Sequence, residues 1–467
     1  MARSTSTLSE RTTFGPLLEM SLDGVARNQQ TKALADQLRD AVRVGRLPAG
    51  TRLPSSRTLS QDLGVSRGVA VRAYEQLLTE GYVVARLGSG TVVADVPEVS
   101  PTTAPRRPHP PTNPGLPEGG TFPRAAWARC AAKALAHLPD AEFGYGDPAG
   151  LVAFRAELSR YLGRARAVLA PPDRIVVVNG FGQATRLVAD VVRASGTDRI
   201  AVEDPGSIGV REQLTRSGIR CVAVPVDGDG IRVDSLAAAN VRAVIVTPAH
   251  HFPTGVVMSG ERRHALLDWA RATDSVIIED DYDAELRYDR SPIGALQGLG
   301  PDVVLYGGSV SKVLAPGLRL GWLVVPEPLV GTYVEAKYLA DLARGVIDQA
   351  TMAEFLASGE MDRQIRRMTV AYRGRRDRLV SSVERLLPGW KVSGTAAGLH
   401  LVLHPDHDND VELLAPIAQE CGLDARPLCR YSLRAGGRPG LVVGYGHQRA
   451  DSLESGVAAL ARNLAGR

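Results

Sequence analysis

Apolar positions recur along this chain with two different periods. In TKALADQLRDAVRVG (31–45), Leu34, Leu38, Ala41 and Val42 share one helical face, and the run stops at Gly45. The next stretch, LPAGTRLPSSRTLSQDLGVSRGVAVRAYEQLLTEGY, predicts two short helices. Ser55 or Ser56 caps the first, which runs through Leu63, and Gly64 ends it. Ser66 caps the second, where Val69, Ala70, Ala73, Leu77 and Leu78 form the apolar stripe. Two short helices about a tight Gly-Val turn make a helix-turn-helix. YVVARLGSGTVVA (82–94) then places two β-rich runs around Leu87-Gly88-Ser89-Gly90, which predicts a hairpin.

From residue 170 onwards the period changes. RIVVVNG, RIAVEDPG, CVAVPVD, VRAVIVTPAH, SVIIEDDYD and DVVLYGG are short, Val/Ile-rich and mostly unalternated. Such runs fit strands covered on both faces of a largely parallel sheet in an α/β fold. Between the two regimes lies PEVSPTTAPRRPHPPTNPGLP (97–117), in which eight of 21 residues are proline. Proline removes backbone donors and blocks helix, so an extended linker is expected. The expected domains are 1–96, a linker over 97–119, and 120–467.

Composition adds bounds. The chain has 467 residues, 44% apolar and 23% charged, with a net charge of +4. That charge is too small to imply nucleic acid by itself, but Arg43, Arg46, Arg52, Arg57, Arg67 and Arg72 face only one acid, Asp62, between residues 43 and 72. The four cysteines show no CxxC spacing and no matching histidine pattern, so neither a disulfide frame nor a metal site is expected. No apolar run suggests a signal peptide or membrane span, and a cytoplasmic protein is expected.

A recognition helix beginning at Ser66 points its first residues at base edges, while basic side chains hold phosphates. Arg57, Ser66, Arg67 and Arg72 are placed for this role, and Arg86 with the Gly88–Gly90 tip for an adjacent groove. The segment resembles the GntR-type winged helix along its whole length, on LPSSRTLSQDLGVSR, AYEQLLTEGY and RLGSGT. It departs at Gly68-Val69, where that family has small hydroxyl residues, which leaves more of the specificity to Arg57 and Arg67.

In the large module, Gly180, Asp280 and Lys312 each fall just after a strand-like run, where ligands of such sheets bind. IVVVNGFGQATRLVAD reads as strand, glycine turn and helix, an anion site around the amides of Gly182 and Gln183. VIIEDDYDAE supplies carboxylates and a tyrosine at a strand end, and SVSKVLAPGLR supplies hydroxyl, amine and guanidinium in one loop. An anion cradle, a carboxylate and a lysine are what pyridoxal phosphate requires.

From about residue 120 the chain resembles a fold-type I aminotransferase, and with the winged helix it is similar to the MocR/GabR group of bacterial regulators. The resemblance implies a Schiff-base role for Lys312 and phosphate contacts from Ser309, Arg319, Gly182 and Gln183. It implies that Asp280 partners the pyridinium, that Tyr282 bonds the ring oxygen, and that Tyr145 reaches a neighbouring subunit's phosphate in a homodimer. Ser207 stands where relatives carry a stacking aromatic, a duty open to Phe181, and Phe252 stands where dedicated aminotransferases have asparagine. The late strand has Val442 and Val443 in place of a carboxylate-binding arginine, although Arg430, Arg434 and Arg438 lie nearby. The expected function is a regulator that binds operator DNA and senses an amine, an amino acid or pyridoxal phosphate itself. The alternative is a working aminotransferase with an accessory N-terminal module.

Overall fold

The computed structural model describes residues 20–86, 90–97, 114–289, 293–406, 411–434 and 439–465. It divides into two units, 1–110 and 111–467.

In the first unit, α1 (Gln30–Arg43), α2 (Ser56–Asp62) and α3 (Arg67–Thr79) precede the antiparallel hairpin β1 (Val83–Arg86) and β2 (Gly90–Val93). Leu34, Leu38, Ala41 and Val42 of α1 are buried as their spacing requires, against Leu59 of α2 and Val69, Ala70, Ala73 and Leu77 of α3. Ser55 is the residue that caps α2, its hydroxyl accepting the Thr58 N–H at 3.1 Å. Ser66 precedes α3 in extended conformation without a side-chain cap bond. The stripe on α3 closes with Tyr74, not Leu78, which is exposed. The Tyr74 hydroxyl donates to the Pro54 carbonyl at 2.9 Å, so the ring is buried with its polar tip satisfied.

The second unit is built on an eight-stranded sheet. Its strands are β3 (Ile175–Val178), β4 (Arg199–Asp204), β5 (Arg220–Asp227), β6 (Gly230–Ile231), β7 (Ala243–Val246), β8 (Val276–Asp281), β9 (Val304–Ser309) and β10 (Gly321–Val324). Their order is β3-β10-β9-β8-β7-β4-β5-β6. The central pairs are parallel, and most strand residues are buried on both faces, as continuous Val/Ile runs dictate. The edge strand β6 is antiparallel to β5, and β10 is antiparallel to both β3 and β9. β10 hides in the segment LRLGWLVV directly after the candidate lysine loop.

Helices α4 (Arg124–His137), α5 (Val152–Arg166), α6 (Phe181–Ala194), α7 (Ile208–Arg216), α8 (Val233–Ala237), α9 (Gly260–Ala272), α10 (Val330–Asp341) and α11 (Val346–Ala357) accompany this sheet. The long α12 (Glu360–Leu386) leads into β11 (Lys391–Ser393), β12 (His400–His404), α13 (Val411–Glu420), β13 (Asp424–Pro427), β14 (Leu441–Gly444) and α14 (Ala450–Ala465). These strands form a small antiparallel sheet of order β11-β12-β14-β13. The end of the proline-rich stretch, Pro114–Glu118, belongs to this unit. Pro114 and Gly115 are buried, the Glu118 N–H donates to the Tyr372 hydroxyl oxygen at 3.3 Å, and Glu118 pairs with Arg375. No helix of the described residues is long and apolar enough to cross a membrane.

Candidate functional site

Parallel strands deliver their carboxyl ends to one edge of a sheet, so β3, β8 and β9 bring Gly180, Asp280 and Ser309 together there. Because β10 runs the other way, its preceding turn returns to that same edge and carries Arg319 with it; Gly321 pairs with both Ser309 and Val178. Close approach there depends on glycine. Gly180 precedes α6 at φ +78°, and a Cβ on it would lie 3.2 Å from the Arg319 guanidinium.

The result is a cavity of about 250 Å³ lined by Gly182, Asp280, Tyr282, Ser309, Lys312 and Arg319, along with Gly115, Phe181, Ser207 and Phe252. Six of the eight residues expected at the cofactor converge here. Gln183 does not: its side chain accepts the Asn179 N–H at 2.8 Å and donates to Asp341 at 2.8 Å, and its own N–H donates to the Gly180 carbonyl at 3.0 Å. The helix geometry that leaves the Gly182 amide at the cavity turns the next residue away. Tyr145 is also elsewhere in this chain. It is 85% exposed and lines a separate cleft of about 310 Å³ with Leu342, Arg344 and Val346.

Strand alternation separates the two adjacent carboxylates of β8. Asp280 faces the cavity, whereas Asp281 points to the opposite side, where Arg166 pairs with it at 2.8 Å and the Tyr306 hydroxyl donates to it at 2.7 Å. Burial drives the Asp280 pKa well above the ordinary carboxylate range, and neighbouring Asp281 adds to this; the Lys312 charge opposes it. Burial lowers the Lys312 pKa, with Asp283 and Asp280 acting in the opposite sense. This favours the neutral amine, the form that attacks a carbonyl carbon. Its Nζ donates to the Gly115 carbonyl at 2.6 Å, a partner that the sequence reading placed in the linker.

Behind the cavity, His250 Nδ1 lies 3.1 Å from both Asp283 carboxylate oxygens and 3.1 Å from the Tyr282 hydroxyl. Both His250 and His251 are buried, and no cluster of metal ligands occurs among the described residues. The doublet TPAHH and the last Asp of EDDYD were the available signals for this pair. Ser207 spends its hydroxyl on the Val210 N–H at the start of α7. Two aromatics flank the site instead. Phe181 lies over Gly307, where a Cβ would come within 2.5 Å of its ring. Phe252 stands edge-on to Tyr282, His400 and Tyr431 with centroids 6.1, 4.9 and 5.3 Å away.

The late arginines do not line this cavity. Val442 and Val443 are buried in β14, and Arg434 pairs with Asp204 at 3.2 Å. Arg430 is exposed, and Arg438 lies outside the described residues. Lys312 and Arg319 are therefore the basic side chains lining the cavity among the described residues. Amine, carboxylate, phenol, hydroxyl, guanidinium and a helix-start glycine in one pocket fit pyridoxal phosphate.

On the first unit, Arg57, Ser66, Arg67, Arg72 and Arg86 are exposed. None of the four arginines is ion-paired among the described residues, whereas Arg39 is held by Glu80 at 2.7 Å. Gly68 leaves the start of α3 bare, with Arg72 close to it, and Val69 is buried in the core. Gly88 lies outside the described residues.

Known proteins match both units. Residues 117–440 match Aminotransferase class I and II, and residues 30–93 match the gntR family of bacterial regulatory proteins. The chain is 34% identical to the HTH-type pyridoxine biosynthesis transcriptional regulator PdxR of Corynebacterium glutamicum, over 90% of this chain and 92% of that protein. It is 31% identical to the probable rhizopine catabolism regulatory protein MocR of Rhizobium meliloti, over 94% of each. Among solved structures, the multiple substrate aminotransferase of Thermococcus profundus superposes with a TM-score of 0.68 at 26% identity, covering 75% of this chain and 90% of that one. With its cofactor thereby fixed as pyridoxal 5'-phosphate, the chain belongs to the family of HTH-type transcriptional regulators that join a gntR-type segment to an aminotransferase class I and II domain.

Proposed function

We propose that this chain is a cytoplasmic, homodimeric transcription regulator whose affinity for operator DNA is set by pyridoxal phosphate held at Lys312. One observation carries the choice of effector. The cavity offers a lysine and a phosphate-end arginine, yet Phe252 and the buried Val442 and Val443 provide no guanidinium to grip a substrate carboxylate. The name of the Corynebacterium relative, a regulator of pyridoxine biosynthesis, points the same way.

When bound, pyridoxal phosphate supplies an aldehyde carbon and an electron-withdrawing ring. The chain's residues do the rest. Lys312 offers its amine, Asp280 offers a carboxylate for the ring nitrogen, and Tyr282 offers a phenol for the ring oxygen. Ser309, Gly182 and Arg319 receive the phosphate. Phe181 and Phe252 exclude water, and Tyr145 from a second copy completes the anion site.

The test is titration of apo protein with pyridoxal phosphate, reading visible absorbance and binding to the chain's own upstream DNA together. Both should change over one concentration range, and Lys312→Ala should abolish the absorbance and the DNA response. Unchanged DNA affinity at full cofactor occupancy removes the reading. The second reading, a working aminotransferase, is favoured by the complete set of Lys312, Asp280, Tyr282 and Arg319. It stands only if an amino donor gives repeated turnover.

A further inference from the structure

Arg319 sits in a left-handed turn, φ +50° and ψ +38°, and donates from Nη2 to the Asn179 carbonyl at 2.7 Å. A non-glycine residue in that conformation persists only where its surroundings hold it. The holding group is Arg344, which lies outside the cavity with a side chain 6% exposed. Its Nη1 donates to the Arg319 carbonyl and to Asn179 Oδ1, and its Nη2 donates to the Leu318 carbonyl at 2.7 Å. Nη2 also reaches the Asp348 carboxylate at 3.3 Å. One guanidinium thus ties the turn after β3 to the turn before β10. Asn179 is fixed from its other side by Asp341, to which its Nδ2 donates at 2.9 Å. Asp341 also accepts from Gln183 and from the buried Lys337. The side chain of Gln183, displaced from the cavity, has its place in this scaffold.

We propose that Arg344 is a positioning residue for the phosphate end of the cavity, acting through the Arg319 main chain and the Asn179 side chain to aim the Arg319 guanidinium. The inference rests on the reading of the cavity as a pyridoxal phosphate site. The planar fork is what the place requires, since several acceptors in different directions must be met at once. A lysine ammonium brings the charge without the fork.

The experiment compares pyridoxal phosphate with pyridoxal, the same aldehyde without the phosphate, by absorbance titration of the full chain. Arg344→Met and Arg344→Lys should each weaken pyridoxal phosphate about tenfold, the scale of a lost charge-assisted hydrogen bond, and leave pyridoxal within about twofold. Asp348→Asn, which removes the ion pair alone, should leave both unchanged. Arg319→Ala combined with Arg344→Met should lose no more phosphate affinity than Arg319→Ala alone, because both act on one contact. Equal losses for the two aldehydes, or losses that multiply in the double variant, overturn the proposal. If the Arg344 variants do not fold, Asn179→Ala carries the same prediction of selective loss. Wild-type protein that takes up neither aldehyde overturns the cofactor reading, and this inference with it.

Discussion

Glu203, at the end of β4, shows how one buried acid shapes the behaviour of the site region. Its carboxylate accepts the Thr247 N–H at 3.0 Å and the Thr247 hydroxyl at 2.7 Å. Burial still pushes its pKa from the ordinary 4.5 up to about 8, and those hydrogen bonds offset only part of the shift. The folded state therefore holds this proton more tightly than the unfolded chain does. The stabilisation is complete below about pH 4.5 and is lost as pH rises through about 8. Glu279 and Glu285, both pushed up to about 7 chiefly by burial, act with the same sign. Glu203→Gln should flatten the decline in stability between about pH 4.5 and 8 without removing it, as measured by urea unfolding at successive pH values. An unaltered slope contradicts the assignment. Individual residues were legible where type and place coincided. Lys312, Asp280, Tyr282 and Ser309 each ended or closely followed a recognisable strand, whereas Arg319 was marked only by its place in the lysine loop. Gln183 was not legible, because one position along a helix start turns a side chain through about a quarter-turn or more. Nothing local in the sequence marks Asp341 as its partner.

Elements were read well where a period ran long enough to choose one. α1 and α3 followed from their apolar stripes, α2 from its Ser55 cap, and the hairpin from its two β-rich runs. The swap of Tyr74 for Leu78 on α3 came from a side chain whose hydroxyl found Pro54, a tertiary event. β10 was missed because four residues, GWLV, give too short a run to separate from the glycine-rich loop before it. Its direction is invisible in composition, yet that direction is what returns Arg319 to the carboxyl edge. On α3, Arg67 occupies the first helical position, exposed and without an ion pair among the described residues. If it reads a guanine edge, Arg67→Ala should cost specific operator binding about 1–3 kcal/mol and spare random DNA. Equal loss on both, in gel-shift titrations at fixed salt, makes it a phosphate contact instead.

At the scale of the whole molecule, apolar side chains remain uncovered around the cleft that Tyr145 lines. Leu339 is 76% exposed, Phe143 53% and Leu342 45%, unusual company on a solvent-facing surface. A second copy of the chain would cover them. Leu339→Glu should accordingly shift sedimentation toward a monomer and weaken pyridoxal phosphate uptake with it. A variant still dimeric at micromolar concentration counts against this face.

The bond from Lys312 to Gly115 has a consequence for cofactor uptake. A neutral amine offers two N–H donors, and the same nitrogen joined to an aldehyde would keep one at most. Cofactor uptake at Lys312 would therefore compete with the bond that holds Gly115 at the cavity wall. By thermodynamic reciprocity, a change that displaces Gly115 would in turn alter how tightly the vitamin is kept.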